Sequence, residues 1–202
     1  GVQDEGSQLV ALALAGAPLD GPDRHWLDLC SGPGGKAALL GSLTPGRLLA
    51  AEVAGHRARL VAAATVGLPV YVVGADGTLP PWRPGWADRV LVDAPCTGLG
   101  ALRRRPEARW RRTEEDLAEL TVVQRALLRQ GIAAARPGGV VAYVVCSPHL
   151  AETRDVVADV LADGTADQLD AGPYFPQAGP AVQLWPHRHG TDAMFCALLR
   201  RR

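Results

Sequence analysis

An α/β fold whose mostly parallel sheet is covered by helices on both faces is what this sequence predicts. Three observations carry that expectation. Apolar stretches of strand length recur at Trp26 to Cys30, Leu48 to Val53, Val70 to Gly74, Arg89 to Asp93 and Val140 to Cys146. Helical stretches lie between them, and the connections are short. A chain of 202 residues, 48% of them hydrophobic, buries one sizeable core, so a single domain is expected over residues 1–202.

Taken in order, the alanine- and leucine-rich residues 7 to 15 predict a first helix, which the glycines and prolines of "GAPLDGPDRH" end. The first strand then runs into "SGPGGK", a turn that opens a second helix. The longest helix begins at Thr113, whose hydroxyl caps it with Asp116 three residues on. Leu117, Leu120, Gln124, Leu127 and Leu128 follow at helical spacing, and "ARPGG" stops it. In the tail, "AVQLWP" and "DAMFCALLRR" read as an antiparallel pair of strands joined by the polar turn "HRHGTD", while residues 163 to 180 read as a soft linker. Asp28, Glu52, Asp76, Asp93 and Cys146 each fall at or just beyond a strand end. Ligands in such folds gather at the carboxyl ends of the strands, so these five side chains converge on one rim.

Composition excludes several classes. No run of eighteen apolar residues and no charged-then-apolar leader occurs, so neither a membrane span nor a signal peptide is indicated. Cys30, Cys96, Cys146 and Cys196 are far apart and form no CxxC pair, which argues against a zinc knuckle or a disulfide scaffold and for free thiols in a reducing, cytoplasmic setting. The 21 basic and 21 acidic residues balance, so distribution decides about polyanions. Lys36 is the only lysine, and "LRRRPEARWRR" gathers Arg103, Arg104, Arg105, Arg109, Arg111 and Arg112 within residues 102 to 112. Such a run either meets phosphates or pairs with neighbours such as Glu107, Glu114 and Glu115. Trp110 either stacks on a base or packs the next helix.

The glycines of "SGPGGK" permit close approach and unusual backbone angles, and the helix amides behind them suit an anionic group. The stretch lacks both GxxxxGK[ST] and GxGxxG, so ATP and NAD lose ground. Glu52 is suited to ribose hydroxyls and Asp76 to an adenine amine, which implies a nucleoside-bearing cofactor held without a phosphate grip. Ordinary helix caps are the bland alternative for these acids. Free cysteines are usually small buried hydrophobes, and Cys30 and Cys196, inside expected strands, read as core. Cys96 and Cys146 differ, because both sit on the rim that carries the glycine turn.

In this arrangement the chain resembles the RNA cytosine-C5 methyltransferase family, the Sun type that includes the bacterial small-subunit ribosomal RNA enzymes. "GVQDEGSQLVA", "DLCSGPGGK", "AEV", "GADG", "VLVDAPCTGLGALRRRPEARWRR", "VVCS" and "HGTDAMFCALLRR" occur in the family's order. Val145 stands where the family commonly has threonine, and Thr153 where its "ENE" element has asparagine. The resemblance implies a Rossmann-like fold with a seven-stranded, mostly parallel sheet, a C-terminal antiparallel hairpin, and S-adenosylmethionine as cofactor. It assigns Cys146 as the nucleophile that adds to cytosine C6, Cys96 as the thiol that promotes release, and Asp93 and Lys36 as supporting catalytic residues. Cofactor contacts are expected from Cys30, Ser31, Gly32, Pro33, Gly34, Gly35, Lys36, Glu52, Arg57, Asp76, Gly77 and Asp93. RNA contacts are expected from Arg103, Arg104, Arg105, Arg109, Trp110, Arg111 and His189. Small-subunit ribosomal RNA is the expected partner of a monomer that needs neither metal nor membrane. The opening without methionine suggests a piece whose upstream RNA-binding domain is absent. A transfer RNA enzyme and an inactive RNA-binding or assembly protein retaining the fold are the alternatives, while a small-molecule methyltransferase would not explain the arginines.

Overall fold

The computed structural model describes residues 3–175 and 179–202. Gly1 and Val2 of the opening motif, and residues 176 to 178 of the soft segment, lie outside the described residues. Helix α1 spans Glu5–Gly16, with the Asp4 carboxylate accepting from the Gly6 amide at its start (3.0 Å). Strand β1 (His25–Asp28), helix α2 (Gly35–Leu43), β2 (Arg47–Glu52), α3 (Gly55–Ala64), β3 (Val70–Gly74) and β4 (Ala87–Asp93) follow. A single turn, α4 (Ala108–Arg111), precedes α5 (Glu114–Ala134), the longest helix. The expected cap is present there: Asp116 N donates to Thr113 Oγ1 (3.2 Å) and Thr113 N to Asp116 Oδ2 (3.0 Å). The chain ends with β5 (Ala135–Val145), α6 (Arg154–Leu161), β6 (Ala166–Leu169), β7 (Ala181–Gln183), α7 (Pro186–His189) and β8 (Phe195–Arg201).

The sheet runs β3-β2-β1-β4-β5-β8-β6, with β7 also on β8. The first five strands in that order are mutually parallel, and β8 is antiparallel to β5, β6 and β7. Eight strands fill seven positions, because β7 pairs with residues 195 to 197 and β6 with residues 198 to 201 along one side of β8. Three details differ from the sequence reading. β6 lies inside the segment read as a linker, its short run "ADQL" holding a strand only through β8. The turn between the last two strands contains α7. β1 stops at Asp28, two residues early, so Cys30 belongs to the glycine turn and not to a strand.

Alternating side chains divide the core into two layers. Leu91, Val140, Ala142 and Val144 face Val10 and Leu14 of α1 and Leu40 of α2, whereas Val90, Val92, Val141 and Tyr143 face Leu128 of α5 and Val156 and Val160 of α6. Cys196 is a core residue, its thiol pushed up to about 12 by burial. The lower edge of the sheet is tied by buried Asp88, which accepts from the Arg24 and His25 amides (both 2.8 Å) and Arg136 Nε (2.7 Å). These long-range bonds leave the opposite rim to the loops that follow β1 to β5. Among the described residues no helix is long and apolar enough to cross a membrane.

Candidate active site

At that rim the glycine turn is shaped by contacts that exclude side chains. A Cβ on Gly32 would lie 2.3 Å from Glu52 Oε2, and one on Gly34, at φ +110°, would lie 2.8 Å from Ala64 Cβ. The Gly32 amide instead donates to Glu52 Oε2 (2.9 Å), the Ala54 amide to Oε1 (3.0 Å), and the Arg57 guanidinium to the Gly32 carbonyl. Glu52, fixed by its neighbours, thus links the ends of β1 and β2. Ser31 is buried and donates its hydroxyl to the Ala51 carbonyl (2.9 Å). After β3, Asp76 Oδ1 accepts from the amide and hydroxyl of Thr78 (2.8 and 2.7 Å), which hold its carboxyl below the usual range.

The ends of β4 and β5 are in register, Asp93 opposite Val144. The loops that leave them bring Cys96 and Cys146 together, with their sulfur atoms 3.2 Å apart. Lys36 Nζ lies 2.8 Å from Asp93 Oδ2. Burial opposes the lysine's charge, but Asp93 outweighs it and raises the ammonium's pKa above its ordinary value. The contact with Cys146, together with burial, raises the Cys96 thiol well above the ordinary range. The same contact and Lys36 lower Cys146 despite its burial. Of the two thiols, Cys146 is the one whose ionisation the site favours.

A single cavity of about 680 Å³ is lined by Cys30, Gly32, Glu52, Arg57, Asp76 and Gly77 and also by Asp93, Cys96 and Cys146. Of the cofactor residues expected from the sequence, Ser31, Pro33, Gly34, Gly35 and Lys36 do not line it. They build the turn behind it. Beneath lies Asp28, wholly buried and, among the described residues, with neither carboxylate oxygen hydrogen-bonded. Burial and the nearby Asp93 push its pKa up to about 8.

The arginine run divides. Arg103 is 2.8 Å from Asp4 and 3.6 Å from Asp192, and Arg104 grips Asp192 through two nitrogens. These buried carboxylates, from the amino terminus and from "HGTD", take the pairing role expected of Glu107, Glu114 and Glu115. The fold brings them closer than their distance along the chain suggests. Arg105, Arg109 and Arg111 are exposed, and Trp110 is 83% exposed with the Arg109 guanidinium 5.9 Å from its ring centre. Arg105, Arg111 and Arg112 line the cavity, and Arg112 Nε donates to the Thr97 carbonyl (3.1 Å). His189 stands outside it, with Nδ1 accepting from the Trp185 amide (2.9 Å).

Several lining residues were not singled out by the sequence. Leu120 and Leu127 have the helical spacing of core residues, yet they reach the cavity along with Val123 and Leu29. Gly100, which does not line the cavity, is more informative. Its amide donates to the Cys146 carbonyl (2.9 Å), its carbonyl accepts from Ala193 N (2.9 Å), and a Cβ there would lie 2.3 Å from the Ala193 oxygen. Among the described residues no cluster of three or more His, Cys, Asp or Glu side chains is arranged to hold a metal.

At the strand ends the carboxylates Glu52, Asp76 and Asp93 outnumber the cations Arg57 and Lys36, while the cavity's other arginines, Arg105, Arg111 and Arg112, belong to the arginine-rich segment. That fits a nucleoside ligand with a cationic end better than a phosphate. S-adenosylmethionine, with its sulfonium and ammonium groups, is such a ligand.

The chain matches the family described as 16S rRNA methyltransferase RsmB/F over residues 16–200. It is 60% identical to the Mycobacterium tuberculosis protein Rv1407 over 99% of this chain and 46% of that one. It is 36% identical to ribosomal RNA small subunit methyltransferase B of Sodalis glossinidius, over 97% of this chain and 45% of that one. The chain thus spans about half the length of the curated relatives it matches. Among solved structures, that of PH0851 is similar with a TM-score of 0.89 and 31% identity, covering 100% of this chain and 47% of that one. NSun6 from Pyrococcus horikoshii, solved with SFG, gives 0.85 and 27%, covering 98% and 52%. Together with a methyltransferase fold built for S-adenosylmethionine, the match across nearly all of the sequence makes this chain a member of the RsmB/F family of 16S ribosomal RNA methyltransferases.

Proposed function

We propose that the chain transfers a methyl group from S-adenosylmethionine to C5 of a cytosine in small-subunit ribosomal RNA, through a covalent bond between Cys146 and C6. The observation that carries this reading is the pair of thiols 3.2 Å apart in the wall of the cavity onto which the glycine turn opens. C5 of cytosine is a poor nucleophile. A thiolate adding at C6 pushes electron density onto C5, which then takes the methyl group. S-adenosylmethionine, when bound, supplies that methyl group as an electrophile. Glu52, Asp76 and the glycine turn hold the nucleoside and amino-acid portions, with Cys30, Arg57 and Gly77 completing the wall.

Cys146 is the nucleophile, its thiolate favoured by the contact with Cys96 and by Lys36. Asp93, held by Lys36, hydrogen-bonds the cytosine edge. After transfer the C5 proton passes to water, its bonding pair restores the C5–C6 double bond, and the Cys146 sulfur departs with the C6–S bonding pair. Cys96 is placed to donate to that sulfur. A base within structured RNA must be turned out to enter the cavity. We assign its flanking phosphates to Arg105, Arg109 and Arg111 and a stacking contact to Trp110, while His189 would act only at the periphery. Ribosomal RNA as substrate places the enzyme in the cytoplasm.

The reading is tested by incubating wild type and Cys146→Ala with radiolabelled S-adenosylmethionine and undermodified 16S ribosomal RNA, with nucleoside analysis of the product. Labelled 5-methylcytidine from wild type only, with cofactor binding retained in the variant, is the expected result. Label in another nucleoside, no transfer by cofactor-saturated wild type, or transfer by Cys146→Ala overturns it.

The arginines give a separate expectation. Changing Arg105, Arg109 and Arg111 together to glutamine should weaken RNA binding and lower the slope of log affinity against log salt by about two, one phosphate being worth roughly 0.7 on a single strand. Arg104→Gln should instead lower the melting temperature, because it removes the main partner of buried Asp192. Filter binding across a salt series and thermal melting separate the two effects.

A further inference from the structure

We propose that Glu152 is a positioning residue whose carboxylate clasps the two cysteine-bearing loops and sets the separation of Cys96 and Cys146. This rests on the methyl-transfer reading for its purpose, though not for its geometry. Glu152 is wholly buried in the turn Leu150–Glu152. Its Oε1 accepts from Thr97 N (2.8 Å) and Gln124 Nε2 (2.9 Å), and its Oε2 from Thr97 Oγ1 (2.6 Å) and Ser147 Oγ (2.5 Å). Thr97 follows Cys96 and Ser147 follows Cys146, so one side chain holds the residue next to each thiol.

The clasp is anchored on three further sides. Tyr143 OH donates to the Glu152 carbonyl (2.7 Å). Gln124 also donates to the Pro95 carbonyl (2.9 Å), which fixes the peptide before Cys96 to α5. Arg112 reaches the Thr97 carbonyl from the rim. Every hydrogen bond to the carboxylate comes from a neutral donor, and neutral donors alone are an expensive way to bury a charge. An apolar residue would join the two loops less tightly and would leave Thr97 N, Thr97 Oγ1 and Ser147 Oγ without this acceptor. The charge also lies on the Cys96 side of the pair, while Lys36 acts on Cys146. The clasp therefore favours the same division of labour as the rest of the site.

The test needs neither RNA nor cofactor, so it is independent of the methyl-transfer reading. An azodicarboxamide oxidant joins two thiols within reach: two S–H protons and two electrons pass to its N=N bond, which becomes a hydrazine, and a disulfide forms. Peptide mapping follows the Cys96–Cys146 bond against Cys30 and Cys196. In Glu152→Ala the cross-linking rate should fall at least tenfold. kcat should fall by about 100-fold with KM for cofactor unchanged, the scale expected when reacting groups shift by about 1 Å. Glu152→Gln, which keeps the shape and can meet the two rotating hydroxyls, should restore cross-linking to within a few-fold of wild type. Should Glu152→Ala fail to fold, Ser147→Ala, which removes only one strand of the clasp, should show the slower cross-linking. Wild-type cross-linking in both Glu152→Ala and Ser147→Ala, or in Ser147→Ala alone when the other does not fold, overturns the proposal. So does a loss in Glu152→Gln equal to that in Glu152→Ala.

Discussion

Cys96→Ala should leave the RNA attached to the protein. In the proposed reaction, once Cys146 has added to C6 and C5 carries its methyl group, turnover requires loss of the C5 proton and departure of the Cys146 sulfur. Cys96 Sγ, 3.2 Å away, is the protonated group beside that sulfur. Without it the addition still has its nucleophile, but the departing thiolate loses its donor. Positioned proton donors contribute about 10²- to 10⁴-fold to such steps, so release should slow on that scale and a slow-migrating, labelled band should accumulate on denaturing gels. Cys96 also lowers the pKa of Cys146. In its absence the Cys146 pKa rises, and adduct formation should shift to higher pH relative to alkylation of Cys146 in the wild type. The double variant Cys96→Ala, Cys146→Ala should give no band. Normal turnover by Cys96→Ala without an adduct would show that the neighbouring thiol takes no part in release.

Much of this arrangement is legible in the sequence, because it depends on local signals. Strands that end in Glu52, Gly74 and Asp93 carry their polar residues to the rim whatever the rest of the chain does. The Thr113 cap is set by residues three apart. What escaped depends on partners distant in the chain. Arg103 and Arg104 read as two members of a basic run until the fold places Asp4 and Asp192 against them, 99 and 88 residues away. Strand β6 has no apolar alternation of its own and exists by pairing with β8. Glu152 carries no local mark of its role, since Thr97 and Gln124 reach it from 55 and 28 residues upstream. The two departures from the family pattern fall in packed positions. Val145 is fully buried in the core layer under α5 and α6, and Thr153 donates to the His149 carbonyl (2.9 Å).

Asp28→Asn should stabilise the cofactor-free protein in alkaline solution and leave it nearly unchanged in acid. Asp28 is fully buried, with burial first and the charge of Asp93 second in raising its pKa from 3.8 to about 8; Lys36 offsets only part of this. The Cys30 amide favours the ionised form, but its geometry falls short of a hydrogen bond. In the unfolded chain the carboxyl loses its proton near 3.8, while in the folded protein it holds it to about 8. Between those values the folded state binds one more proton, so stability falls as pH rises through that window. Each pH unit of the window is worth about 1.4 kcal/mol, which puts the total at several kcal/mol. Asparagine has no charge to bury and removes the dependence. The melting temperature of the variant should therefore exceed that of the wild type at pH 9 and, by less, at pH 5, and the two should agree closely only near pH 3, below the carboxyl's unfolded-state value of 3.8. Parallel melting curves across that range would mean that the carboxylate is ionised and adequately compensated in the cofactor-free fold. The same substitution should weaken binding of S-adenosylmethionine, since the negative charge that destabilises the free protein is the charge a cationic ligand would offset.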